Sequence, residues 1–162
     1  MTTYASAPES AKLLKATLRK AFPATAFTVR LSRGTGYGYC HVGWTDGPST
    51  RLVQAVADRF EGEGFDGMVD CSYHKDNLLP DGRQTGLRGV NCSRHISAAF
   101  ARRLLQAIAD FWGIQGPLPG VIEHRPGGHW SLSTDGRPRA DLPECWTTYI
   151  WRAASDRTSV IR

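Results

Sequence analysis

The sequence predicts an α+β fold: a small, mainly antiparallel sheet, built from a β-hairpin and two short strands, packed against three helices, with an irregular C-terminal extension. Three observations predict it. Two segments alternate apolar and polar residues with period two across a glycine-rich joint, and three others carry apolar residues at helical spacing. Two Asp-Gly turns, in Trp44-Thr45-Asp46-Gly47-Pro48 and in Phe65-Asp66-Gly67-Met68-Val69-Asp70, bracket the middle helix at the points where strands should meet it.

The first helix is expected over residues 8–21. Pro8 suits a first turn, and Ala11, Leu14, Leu18 and Ala21 recur at helical spacing. Lys12, Lys15, Arg19 and Lys20 lie on its other faces toward the C-terminal end, where the helix dipole favours cations. Phe22-Pro23 ends it, because a residue before proline is pushed out of the α region. Phe27–Leu31 and Tyr39–Trp44 follow as a hairpin, placing Thr28 and Arg30 on one face of the first strand and Tyr39, His41 and Gly43 together on the second. Ser49 or Thr50 can cap a second helix over residues 49–61, with Leu52, Val53, Val56, Ala57 and Phe60 as its apolar stripe. Met68–Tyr73 reads as a third strand, Asp76–Gly86 as a polar loop and Leu87–Cys92 as a fourth strand. Ser93 caps a third helix over residues 95–112, patterned by Ile96, Phe100, Leu104 and Ile108 and stopped by Gly113. Beyond it prolines and glycines break up regular structure, and only Glu144–Ala153 reads as a strand. The chain is therefore divided into a core domain, 1–112, and an extension, 113–162, either packed on the core or serving as a recognition arm.

A length of 162 residues supports one proper core, and 41% apolar with 22% charged residues is ordinary for a globular chain. No apolar run approaches the roughly 18 residues of a membrane span, and no secretory pattern opens the chain. Cys40, Cys71, Cys92 and Cys145 form no CxxC pair, so reduced cysteines in a cytoplasmic protein are expected. The net charge of +5 is concentrated in the first sixty residues, where eight Lys or Arg face three acids. Such a half favours an acidic partner, while the same charge is also ordinary for a solvated surface.

The glycine run Gly34–Gly38 lies between antiparallel strands, not between a strand and a helix, and lacks a following Gly-Lys-Ser/Thr; it is no phosphate loop. Asp46, Asp66 and Asp70 would bind Mg²⁺ only if they converged, and Asp before Gly is already explained by turn chemistry. Cys71/His74 and Cys92/His95 are two Cys-x-x-His pairs, yet each cysteine sits near a strand end where a small buried residue is wanted. Neither a metal nor a cofactor is expected. Arg30, Arg33, Tyr37, Tyr39 and His41, with Lys15 and Arg19, are the candidate nucleic-acid contacts, since a hairpin face can offer rings to bases and guanidiniums to phosphates. Trp130, Trp146 and Trp151 are candidate anchors for a partner.

Ala21-Phe22-Pro23, Phe27-Thr28-Val29-Arg30, Trp44-Thr45-Asp46-Gly47-Pro48 and Phe60-Glu61-Gly62 followed by Phe65–Asp70 resemble, in order and spacing, the large polyvalent protein associated domain 29 family. Arg94-His95-Ile96-Ser97 is similar to its later basic-Ser element, and the resemblance spans about residues 10–111. By position Arg30, Trp44, Asp46, Asp66, Met68 and Asp70 match the family's characteristic residues. The resemblance implies a phage or conjugative-element setting, with co-injected, DNA-processing or counter-defence roles, and no particular activity.

The resulting expectation is a non-enzymatic accessory protein that binds nucleic acid or a nucleic-acid-handling complex and no membrane. Two alternatives stand beside it: a counter-defence inhibitor of a host restriction or CRISPR protein, and a metal-assisted phosphodiester hydrolase using Asp46, Asp66 and Asp70. The oligomeric state has no signature in the sequence.

Overall fold

The computed structural model describes residues 3–142 and 144–156. The elements run α1 (Ala7–Ala21), β1 (Thr28–Leu31), β2 (Tyr39–Thr45), α2 (Thr50–Ala57), β3 (Glu63–Asp66), β4 (Cys71–His74), β5 (Gly89–His95), α3 (Ala98–Trp112), β6 (Val121–Glu123), β7 (Trp130–Leu132) and α4 (Trp146–Asp156). They form two compact units. The first holds the chain up to Trp44 together with Thr50–Arg94; the second holds Thr45–Ser49 and the chain from His95 onward. The α+β reading holds, a small mixed sheet against helices followed by an irregular C-terminal region. The boundary differs. It falls at residue 95 and not at 113, because the buried stripe of α3 (Ala101, Leu104, Leu105, Ile108) packs with Trp130, Trp146 and Ile150 from the tail.

In the first unit, α1 begins with a reciprocal capping box. The Glu9 carboxylate accepts the Ser6 N–H at 2.9 Å and the Ser6 hydroxyl at 2.6 Å, while Ser6 Oγ accepts the Glu9 N–H. Leu14 and Leu18 of α1 and Val53, Ala57 and Phe60 from the second helical segment meet Phe27, Cys40, Val42, Trp44 and Val90 of the sheet in one core. The sheet order is β1-β2-β5. β1 and β2 are antiparallel, with Arg30 opposite His41 and Val29 opposite Val42. Arg88 N–H donates to the Gly38 carbonyl at one end of the β2/β5 pair and Asp46 N–H to the His95 carbonyl at the other, so these two strands run in the same direction. That parallel pairing is possible because α2 and the β3–β4 hairpin supply the long crossover it needs.

β3 and β4 make a separate antiparallel hairpin with Asp66 opposite Cys71. The expected strand Met68–Tyr73 is therefore displaced: Met68–Asp70 is the tip loop, and pairing starts only at Cys71. Asp66 Oδ1 accepts the Met68 N–H at 2.9 Å, the turn chemistry of an Asp-Gly pair, and Asp70 takes φ 51°, a left-handed conformation that aspartate tolerates. Lys75 Nζ meets Glu61 Oε2 at 2.6 Å, and Asn77 Nδ2 donates to the carbonyls of Asp58 and Glu61, so the base of this hairpin is fastened.

In the second unit, the cap of α3 is Ser97 and not Ser93; Ser97 Oγ accepts the Phe100 N–H at 3.1 Å. β6 and β7 pair as a short hairpin. Glu144–Ala153, read as a strand from its Thr, Tyr, Ile and Trp content, is instead mostly the helix α4. Its buried residues Trp146, Tyr149, Ile150 and Ala154 recur at helical spacing, and burial of that stripe overrides β-propensity.

Candidate nucleic-acid interface

Strand alternation sorts the hairpin residues onto two faces. Cys40, Val42 and Trp44 enter the core, so Tyr39, His41 and Gly43 stand on the opposite face, beside Thr28 and Arg30 of β1. On β5 the exposed Asn91 and Ser93 alternate with Val90 and Cys92. Among the described residues no helix of the first unit covers this face, because α1 and α2 pack on the apolar side.

Arg30 and His41 are direct cross-strand neighbours. Ser32 Oγ lies 2.9 Å from His41 Nε2 and holds that ring in place. Arg88 sits over the Tyr39 ring at 5.2 Å from its centroid, and Glu63 grips the same guanidinium through both carboxylate oxygens at 3.1 and 3.0 Å. The pairing keeps the Arg88 charge, raised in pKa by its hydrogen bond to Glu63, beside the aromatic ring. At the hairpin end Arg30, Ser32, Arg33 and Tyr37 line an open bay, and Tyr37 is exposed. Gly38 takes φ 94° here, and a Cβ would meet the Arg88 side chain at 2.8 Å, so glycine is required at this joint.

The structure thus brings Arg30, Arg33, Tyr37, Tyr39 and His41 to one side of the hairpin. Lys15 and Arg19 are not with them: they belong to α1, on the helix side of the sheet. Arg88 lies within the expected fourth strand and carries no motif of its own; it joins the set through tertiary pairing alone.

The remaining candidates separate cleanly. Trp44 is buried and tilts against Phe27 at 5.7 Å. Asp46 accepts the Ser97 N–H at 2.8 Å and the Ser97 hydroxyl at 2.7 Å, binding the Asp-Gly turn to the start of α3. Asp66 serves its own turn, and Met68 is 93% exposed at the hairpin tip. Among the described residues no three His, Cys, Asp or Glu side chains stand close enough to hold a metal ion. Cys40 and Cys92 are packing groups, burial pushing their thiols up to about 11 and about 12; Cys71 is exposed. Trp130 and Trp146, expected as partner anchors, are core residues, 8% and 5% exposed, because the tail closes its own hydrophobic cluster. Trp151 alone of the three stays accessible.

The sequence profile of the large polyvalent protein associated domain 29 family matches residues 5–97, more than half of the chain. The chain belongs to that family. The match ends at Ser97, the cap of α3, short of residue 111; α3, β6, β7 and α4 lie beyond it. The domain 29 segment therefore contains the three-stranded sheet, its open face and the exposed β3–β4 hairpin. This family is associated with phages and mobile elements. No curated protein and no solved structure matches the chain. Among the described residues no helix is long and apolar enough to cross a membrane.

Proposed function

We propose that this domain 29 protein is a non-catalytic accessory factor of a mobile element, acting in the cytoplasm by binding single-stranded nucleic acid across its open sheet face. The observation that carries the reading is the uncovered row of Arg30, His41 and Tyr39 with Arg88 over the Tyr39 ring. A sheet face with rings on its central strand and guanidiniums beside them offers bases a stacking platform and phosphates a cation. An excess of basic residues in the first sixty adds a long-range attraction.

Fluorescence anisotropy with labelled single- and double-stranded oligonucleotides tests it. Binding should favour the single strand and weaken strongly between about 50 and 200 mM salt. Tyr39→Ala should cost about tenfold in affinity, the size of one lost base–aromatic stack. Arg30→Ala should weaken binding to all sequences alike and flatten the salt slope.

One observation favours a second reading, docking to a protein such as a host restriction or CRISPR component. Phe65, Met68, Val69 and Tyr73 are all exposed on the β3–β4 hairpin, with Asp66 and Asp70 at its tip. Solvent-facing apolar residues of this number on so short an element mark a contact surface. If neither oligonucleotide binds at micromolar protein, the sheet reading is wrong; Met68→Asp should then abolish capture of a host protein that the parent chain retains.

A further inference from the structure

The second unit contains a cavity of about 380 Å³ whose walls include His95, His129, Trp130, Asp135, Thr147 and Trp151. We propose that it is a binding site for one unpaired nucleobase, with guanine preferred. The site contains none of Arg30, Arg33, Tyr37, Tyr39, His41 and Arg88 and stands independently of the sheet-face reading.

The wall geometry selects a flat aromatic ligand. Trp151 lies nearly parallel to Trp130, with centroids 6.1 Å apart and planes at 19°. Trp130 is immobilised from behind, its indole N–H donating to the Ile96 carbonyl at 2.8 Å. Trp151 remains 45% exposed, although it is a large apolar side chain on a helix that buries Trp146, Tyr149 and Ile150. An indole held against a fixed neighbour and left open to a cleft is a stacking surface. The volume lies at the small end of ligand sites, a size that takes one base and its sugar.

The polar groups narrow the class further. Asp135 Oδ1 accepts the Thr147 N–H at 2.7 Å, which fixes the carboxylate beside the start of α4. Its second oxygen has no hydrogen-bond partner among the described residues. An ionised carboxylate only accepts hydrogen bonds. Among the bases, guanine alone presents two adjacent N–H donors, the ring N1–H and the 2-amino group. Adenine and cytosine set one amino group beside an acceptor, and uracil flanks its single N–H with two carbonyls that repel an anion. His95 and His129 lie at the same cavity and can each donate or accept toward the remaining base edge or sugar.

Free nucleotides and a base within a strand would present the same chemistry, so both are tested on the full-length chain. Guanosine 5′-monophosphate, adenosine 5′-monophosphate and a thymidine oligomer carrying a single guanine are titrated by calorimetry and tryptophan fluorescence. We expect saturable binding with guanine favoured about tenfold over adenine, the discrimination of one good bidentate contact. Asp135→Asn keeps an oxygen to cap α4 yet presents an amide, and should erase that preference while leaving adenosine monophosphate unchanged. Trp151→Leu, at an exposed position, should weaken every base about tenfold. Binding of the monophosphates supports a free-nucleotide site. Binding of the guanine oligomer alone, sensitive to both substitutions, supports a strand base. Tyr39→Ala should leave guanosine monophosphate binding intact, which separates this site from the sheet face. Absence of saturable binding at millimolar monophosphate and micromolar oligomer, or binding indifferent to both substitutions in chains of unchanged circular dichroism, overturns the proposal.

Discussion

Gly86 shows how much one missing methyl group can specify. A Cβ there would lie 2.2 Å from the Ala5 carbonyl oxygen and 2.8 Å from the Ala7 nitrogen, both backbone atoms that cannot swing aside. Its own N–H donates to the fully buried Ser10 hydroxyl at 3.0 Å. Gly86→Ala should therefore destabilise the first unit by about 1–3 kcal/mol, the usual cost of overpacking. Urea unfolding would show a lower midpoint at an unchanged slope; an unchanged midpoint would mean that the α1 entry segment adapts freely. Asp46 makes the same point by a different route. Its turn sequence places it correctly at a joint, but its partner, Ser97, is far along the chain and no local rule could name it.

Among the elements, α1 carries its determinants most openly. Ser6 and Glu9 at capping-box spacing, Pro8 in the first turn, and basic residues in the last turn all agree on one helix. The hydrogen bonds from Ser6, then that from Arg83 with its charge, lower the Glu9 pKa from 4.5 to about 2. A carboxylate whose folded pKa is depressed adds stability that is complete above the unfolded pKa and vanishes as pH falls through the folded one. The Glu9 contribution is thus full above about pH 4.5 and lost toward pH 2. Glu9→Gln keeps the cap geometry but not the charge. Its melting temperature should trail the parent's at neutral pH and converge on it between those limits; two curves parallel throughout would exclude this charge as the cause. α4 is the opposite case, because its β-branched and aromatic residues point to a strand and only the spacing of Trp146, Tyr149, Ile150 and Ala154 argues otherwise.

At the scale of the whole molecule, two separate clusters of buried side chains replace the single core that the length suggested. The chain passes between the two units at Trp44/Thr45, Ser49/Thr50 and Arg94/His95. A truncation after Trp112, where the composition changes, therefore cuts through the second unit. It removes Trp130, Leu142, Trp146 and Ile150 from the buried face of α3 and leaves Leu104, Leu105 and Ile108 without cover. The shortened chain should bind a hydrophobic dye and lose more helical circular dichroism than α4 accounts for. A truncated chain with no dye binding and full α3 signal would show that α3 does not depend on the tail.

Local chemistry alone determined the helices α1 and α3, the β1–β2 hairpin, the two Asp-Gly turns and the family to which residues 5–97 belong. Each of these rests on periodicity, capping or turn residues that act within a few positions of one another. The same alternation puts Arg30, Tyr39 and His41 on one face, because period two leaves a strand no other choice. Only the tertiary structure decided which face stayed open, that Arg88 would lie over Tyr39, and that Lys15 and Arg19 would fall on the helix side of the sheet. It also decided that Trp130 and Trp146 are core while Trp151 remains accessible. A tryptophan carries the same local signal in a core as at an interface. What distinguishes them is the set of apolar side chains brought from distant segments to cover it, and covering is a property of the assembled chain.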